Sequence, residues 1–347
     1  VLYNLDYSTG ISFIKYGFFA KAERKFLEDN LGLSFGFRVD ADSFSEESSL
    51  MDNISPRLAM TYNLNEDQTW KINASLGRYY KIPTYTMLGY QNSLRRFVNK
   101  DAKYIRSDHM VMGLEYAPGN ASRVTLEGFY KKYSQYPISL IDEVSLANKG
   151  GGFEVLGNES ISSDGKGKSY GVEALYQQKL SKNFYGVFAY TYFHSQFTTT
   201  QGNYLPSVWD SRHLISFSGG YKLKRNWEIS ARWRFSGRTP YVPINQKMTL
   251  KAYPEVVLDY NQLGDLKLDP FNLADIRFDK KWNFKRYSFN FYFEIQNFFA
   301  QSIPRPDEYG LDRTEDGNLV LPRNLVKVNT EEKNNIPFPS FGFVIDF

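Results

Sequence analysis

A strict period of two constrains this chain more than any other feature. In "RYSFNFYFEIQNFF" (Arg286 to Phe299) the odd positions Tyr287, Phe289, Phe291, Phe293 and Ile295 are aromatic or aliphatic. Between them lie Ser288, Asn290, Glu294 and Gln296, with Tyr292 amphipathic. Such alternation predicts a strand with two unlike faces. It recurs along the chain. Leu31, Leu33, Phe35, Phe37 and Val39 alternate with polar or small residues, as do Leu58, Met60, Tyr62 and Leu64. So do Trp70 to Leu76, Met110 to Tyr116, Trp227 to Phe235 and Ala274 to Trp282, and the chain closes on Phe341 to Phe347. With weaker copies near 12–26, 122–134, 169–180, 184–197 and 212–223, about thirteen strands and no convincing helix are expected.

The connections alternate in length. Short turns such as Glu28-Asp29-Asn30, Pro118-Gly119-Asn120 and Lys224-Arg225-Asn226 are separated by long polar segments near 41–54, 80–105, 136–167, 198–210, 239–271 and 300–338. Long structureless loops argue against a compact soluble β-domain. Short turns at one end and long loops at the other are what a transmembrane antiparallel β-barrel shows. Trp70, Trp227, Trp282 and Tyr116 stand beside short turns, as an interfacial aromatic girdle would. The apolar face, including Phe289, Phe291, Phe293, Trp233 and Phe235, is then expected to meet lipid, and an arginine at Phe291 to cost about 2–4 kcal/mol if that position lies near the bilayer midplane. The mean hydropathy of −0.48 is compatible with this, because only alternate strand positions face lipid. No apolar run is long enough for a membrane-crossing helix.

Composition excludes several chemistries. With no Cys there are no disulfides, thiolate metal sites or cysteine nucleophiles. The net charge of +4 includes no clustered basic patch, so nucleic acid is not an expected partner. His109, His194 and His213 are scattered without ligand spacing, and no metal site is expected from them. "DGKGKS" (Asp164 to Ser169) ends like a phosphate loop, but Ser162 holds the first glycine position and a strand follows, so it reads as a flexible loop re-entering a strand. "PDEYGLDRTEDGN" (Pro306 to Asn318) gathers carboxylates without EF-hand spacing: either a loop calcium site or, the bland alternative, a solvated acidic loop. No Ser/His/Asp set or carboxylate pair stands out, so no enzyme and no resident cofactor are expected.

Two groups of residues are site candidates. Tyr79, Tyr80, Tyr85 and Tyr90 with Arg95 and Arg96, in "RYYKIPTYTMLGYQNSLRRF", combine stacking surfaces with cationic donors suited to an extended polar or anionic ligand. The competing reading is that these tyrosines continue a strand into an outer girdle. The polar face carries charges of both signs, among them Arg57, Lys71, Glu115, Glu127, Glu173, Glu228, Arg232, Arg234, Asp275, Arg277, Asp279 and Glu294. These are either solvated and paired along the wall or, for Arg232, Arg234, Arg277 and Glu294 in particular, contacts for a domain seated inside.

"WDSRHLISFSGGYKLKRNWEISARWRFSGRTPYVP" (Trp209 to Pro243) resembles the C-terminal barrel portion of TonB-dependent outer-membrane receptors. "YGFFAKAERKFLEDNLGLSFGFRVDADSF", "SPRLAMTYNL", "YGVEALYQQKLSKNFYGVFAYTYFHSQF" and "LADIRFDKKWNFKRYSFNFYFEIQNFF" support the likeness. The terminal aromatic Phe347 matches the signal read by the barrel-assembly machinery. The resemblance implies a 22-stranded barrel in the outer membrane of a Gram-negative bacterium, an N-terminal plug, and TonB-energised import of a scarce nutrient such as a metal chelate, vitamin, glycan or peptide. It makes membrane lipid, TonB and the plug the expected partners. The residues 1–347 are then the C-terminal part of the barrel, with plug and early strands outside this sequence. Strand parity agrees: the first clear strand runs into a short turn, and thirteen strands do not close. If Val1–Tyr7 formed a further strand, a complete fourteen-stranded channel would be the alternative. A passive channel, or a barrel subunit of a surface assembly with a lipoprotein partner, are the competing functions.

Overall fold

The computed structural model describes residues 8–46, 48–150, 155–328 and 336–347. Val1–Tyr7, the candidate extra strand, lies outside the described residues. The alternation becomes strands throughout. The first four are β1 (Lys15–Phe26), β2 (Leu31–Asp42), β3 (Ser55–Asn63) and β4 (Trp70–Lys81), followed by helix α1 (Tyr85–Leu88). Next come β5 (Ile105–Tyr116), β6 (Ser122–Ser139), β7 (Ile161–Ser181), β8 (Phe184–Thr198) and the short β9 (Tyr204–Pro206). Then follow β10 (His213–Lys222), β11 (Trp227–Ser236), β12 (Pro240–Tyr241), helix α2 (Gln246–Ala252), β13 (Leu266–Lys267) and β14 (Phe271–Asn283). The last are β15 (Ser288–Gln296), β16 (Glu308–Leu311), β17 (Leu325–Val328) and β18 (Phe338–Asp346). One 14-stranded sheet runs β1-β2-β3-β4-β5-β6-β7-β8-β10-β11-β14-β15-β18, with β9 alongside β8. The long strands follow one another in sequence order, as expected, and β1 and β18 stand at the two ends of that order.

Three expectations need correction. Helices do occur: α1 and α2 lie inside long connections, and the other helical turns among the described residues are three-residue 3-10 pieces. The connections are less bare than their polarity suggests: β12 pairs with β13, and β16 with β17, as small hairpins. Asp164–Ser169 is not a flexible loop. It lies within β7, where a Cβ on Gly167 would fall 2.4 Å from the Phe197 ring. Glycine there lets the aromatic ring close onto the strand.

Cross-strand register fixes the two faces. Phe293 lies opposite Phe278 and Phe341, and Phe289 opposite Trp282 and Ile345. On the other face Glu294 lies opposite Arg277 and Ser340, and Tyr292 opposite Asp279 and Gly342. The apolar face is exposed to its surroundings: Phe341 is 75% and Phe343 66% accessible. Trp70, Trp227 and Trp282 all stand at turn ends, each roughly two-fifths exposed. Lys280 interrupts the apolar series of β14. Its ammonium lies 5.4 Å from the Trp227 and Trp282 rings and donates to the Arg225 carbonyl in the turn. A cation on this face bends toward the interface while its stem stays among aromatics.

The tight turns carry residues in the left-handed region. Between β7 and β8, Lys182 has φ 46° and Asn183 φ 74°, the double positive φ of a two-residue hairpin. Asn183→Val is expected to destabilise the protein by about 1–2 kcal/mol, because a β-branched side chain clashes with its own backbone there. The check is the denaturant midpoint in detergent micelles; an unchanged midpoint would mean that the turn does not need this conformation.

Two compact units emerge: Val1–Leu114 with Glu127–Gly171 and His194–Trp209, and Glu115–Leu126 with Val172–Phe193 and Asp210–Phe347. The first contains β1 to β4, most of β5 and the long connections with the strand ends that carry them. The second contains the wall from β10 to β18.

Candidate functional site

In the first unit the long connections share a core. Ile82, Met87, Leu88, Ala102, Tyr104, Leu146 and Ile161 are buried together, with Ile11, Phe13, Phe44 and Tyr80 packed against them. Apolar residues spaced through polar loops thus fold the loops over one another. Buried polar groups tie the backbone in. The Asn99 amide donates to the carbonyls of Met87 (2.9 Å) and Glu159 (2.8 Å) and accepts from Ile161 N–H at 3.1 Å. Asp42 accepts from the amides of Phe44 and Ser45 and from the Tyr104 hydroxyl at 2.9 Å. Burial raises the Tyr104 hydroxyl well above its ordinary range, and Asp42 adds to the rise, so it remains a donor. Lys149 reaches Asp142 and Glu159, both at 2.5 Å, and Ser139 donates to Glu159.

Below this cap, on the polar face, lies a row of recognition groups. The Arg57 guanidinium sits 4.5 Å above the Tyr79 ring, whose other neighbour is the His109 imidazole at 4.6 Å. His109 Nε2 is 2.7 Å from Ser107 Oγ. A guanidinium, a phenol and an imidazole side by side offer stacking together with hydrogen bonds to a polar or anionic group. The ligand candidates divide accordingly. Tyr79 belongs to this row, whereas Tyr80 packs into the cap core. Tyr85, on α1, is 57% exposed and meets Phe13 edge-on. Tyr90 begins a small hairpin closed by the Gln91–Phe97 bridge, with Arg95 (φ 55°) and Arg96 exposed at its tip. So the six residues do not form one surface. His109 escaped the sequence reading as a partner of Tyr79, although strand parity placed both on the polar face.

The wall of the second unit is a lattice of cross-strand charges. Arg232 lies opposite Asp275, Glu228 opposite Asp279, and Arg277 opposite Glu294. Arg277 grips Asp279 through two bonds of 2.8 Å and lies 3.9 Å over the Tyr292 ring. Tyr185 donates to Glu228. Arg232, Arg234 and Glu294 make no ion pair among the described residues, and Asp275 is engaged by the Asn297 amide at 3.0 Å. Phe347, the terminal aromatic, is fully exposed. In the carboxylate-rich loop Asp307 pairs with Lys327 at 2.6 Å and Glu308 opens β16.

The profile of the family described as TonB dependent receptor-like, beta-barrel matches residues 1–298. A search of curated proteins found no match. Among solved structures, the chain is similar to the outer membrane transporter YddB from Escherichia coli, with 16% identity over 96% of this chain and 45% of that one, at TM-score 0.60. It is similar to the ferripyoverdine receptor of the outer membrane of Pseudomonas aeruginosa, with 16% identity, 96% and 39% coverage and TM-score 0.59. The ferric-catecholate import receptor Fiu from Escherichia coli gives 12% identity, 96% and 44% coverage and TM-score 0.59. The chain spans less than half the length of these proteins.

Proposed function

The chain belongs to the TonB-dependent receptor-like β-barrel family, and from that membership we propose that it is part of the wall of a receptor importing a scarce nutrient with energy supplied through TonB. It is a transmembrane antiparallel β-barrel sequence of the Gram-negative outer membrane, from a family of receptors and transporters, not enzymes. The apolar face meets lipid and the polar face lines the interior.

The unpaired charges on the polar face carry the receptor reading. Arg232 and Glu294 lie across the ladder from Asp275 and Arg277, but among the described residues neither they nor Arg234 close a direct ion pair in the wall. A plug domain bearing carboxylates and cations would complete them; a passive channel needs none. The Arg57–Tyr79–His109 row beneath the cap supports a polar or anionic nutrient on the loop side. The small share of the solved structures that the chain covers supports placing it as the C-terminal part of a larger barrel whose remaining strands flank β1 and β18. In this reading exposed Phe347 serves barrel assembly, and loop calcium and a surface lipoprotein are secondary candidates.

The test is electrical. The intact receptor in a planar bilayer is expected to show no steady conductance until its plug is removed, and to bind purified TonB. A stable open conductance with the plug in place, or no affinity for TonB, would overturn the proposal in favour of a passive channel.

A further inference from the structure

On four neighbouring strands the apolar face turns cationic at its loop-side end. Arg78 follows Leu76 in β4, and Arg106 precedes Met110 in β5. Lys132 follows Tyr130 in β6, and Lys166 and Lys168 precede Tyr170 in β7. Even spacing keeps each cation on the same face as the apolar residue beside it. Contacts support this. Arg78 Nε reaches Asp108 at 2.7 Å and Arg106 Nη2 reaches it at 2.6 Å, so one carboxylate serves two guanidiniums. The Tyr130 and Tyr170 rings stack at 6.4 Å, which sets Lys132 and Lys168 beside one another a step further out. The Lys168 ammonium lies 4.5 Å over the Tyr204 ring, while Lys132 and Lys166 are exposed. Three other strands lack the feature among the described residues. Corresponding ends of β2, β8 and β11 carry Val39 and Ala41, Tyr192 and His194, and Phe235.

Cations on a lipid-facing surface are costly in hydrocarbon, so this level lies among headgroups. Guanidiniums and ammoniums in excess over carboxylates there match phosphate, which Arg binds through paired donors. Directly beneath, Leu76 (53% exposed) and Met110 (57%) offer an apolar surface for acyl chains. We propose that Arg78, Arg106, Lys132 and Lys168 form a docking site on the outer wall for a phosphate-bearing lipid of the outer leaflet. The continuity of cations with an apolar strip favours a lipid over a soluble anion, which would use the charges alone.

The test compares retention by the intact receptor, in native mass spectrometry, of lipid A phosphorylated on both sugars, the same lipid without phosphates, and inorganic phosphate. The combined Arg106→Gln, Lys132→Gln, Lys168→Gln variant is expected to hold the phosphorylated lipid at least about tenfold more weakly. Lys131→Gln, on the same strand but the opposite face, is expected to leave retention unchanged. Equal retention by the triple variant, equal retention of the dephosphorylated lipid, or an equal loss in Lys131→Gln would overturn the site. Displacement of the lipid by millimolar inorganic phosphate would assign the charges to a soluble anion instead. Heat-resistant migration in detergent reports folding, and Lys132→Gln alone gives the same comparison should the triple variant not assemble.

Discussion

Phe293→Arg is expected to destabilise the folded barrel by about 2–4 kcal/mol, the cost of a cation on the lipid face near the bilayer midplane. Phe293 sits between Phe278 and Phe341 on the apolar face, with no polar group opposite it on either neighbouring strand. From the sequence alone Phe291 carries the same expectation if it lies near the midplane; register separates the two positions. Phe291 lies opposite Lys280, whose ammonium already reaches the turn past Trp227 and Trp282. An arginine at 291 can follow the same route to the interface, so Phe291→Arg is expected to cost clearly less. Glu294→Gln, on the polar face, is expected to cost least unless a plug residue pairs with it. Urea midpoints in lipid vesicles decide the order. Equal losses at 291 and 293 would mean that the bilayer is centred elsewhere, and a large loss only at 294 would mean that the faces are exchanged.

The wall of this protein was legible because lipid imposes one rule on every strand. Each lipid-facing position of Phe289, Phe291 and Phe293 must be apolar, and each neighbour is free to be polar, so parity alone assigns faces. Girdle residues were legible for the same reason: Trp70, Trp227 and Trp282 mark where the apolar band ends. The loops obey no such period. Met87, Leu88, Leu146 and Ile161 are far apart in sequence, and nothing local announces that they share a core. Tyr79 and Tyr80 show the limit well. They are adjacent and alike, yet one stacks between Arg57 and His109 and the other enters the cap, because successive residues of a strand point to opposite faces. The cationic sector was missed although the same parity rule reveals it, since Arg78, Lys132 and Lys168 stand out only when neighbouring strands are compared at one height.

Tyr104→Ala is expected to open the loop cap, at a cost of about 3–5 kcal/mol to its local stability, the range for removing a large buried aromatic. Tyr104 is 1% exposed in the centre of the core formed by Ile82, Met87, Leu88, Ala102, Leu146 and Ile161. Its hydroxyl also satisfies Asp42, so truncation leaves a cavity and removes a donor from a buried carboxylate. Tyr104→Phe separates the two effects. It keeps the ring and leaves Asp42 with the amides of Phe44 and Ser45, so a loss of only about 1–3 kcal/mol is expected. The consequence should stay local, because the strands of the wall are held by their own ladders and by lipid. Amide exchange in residues 82–104 and 140–150 is expected to accelerate in Tyr104→Ala while β10, β11, β14 and β15 keep their protection. If exchange rose equally in both regions, the cap and the wall would be one cooperative unit; if it rose in neither, the ring would not be what holds the loops together.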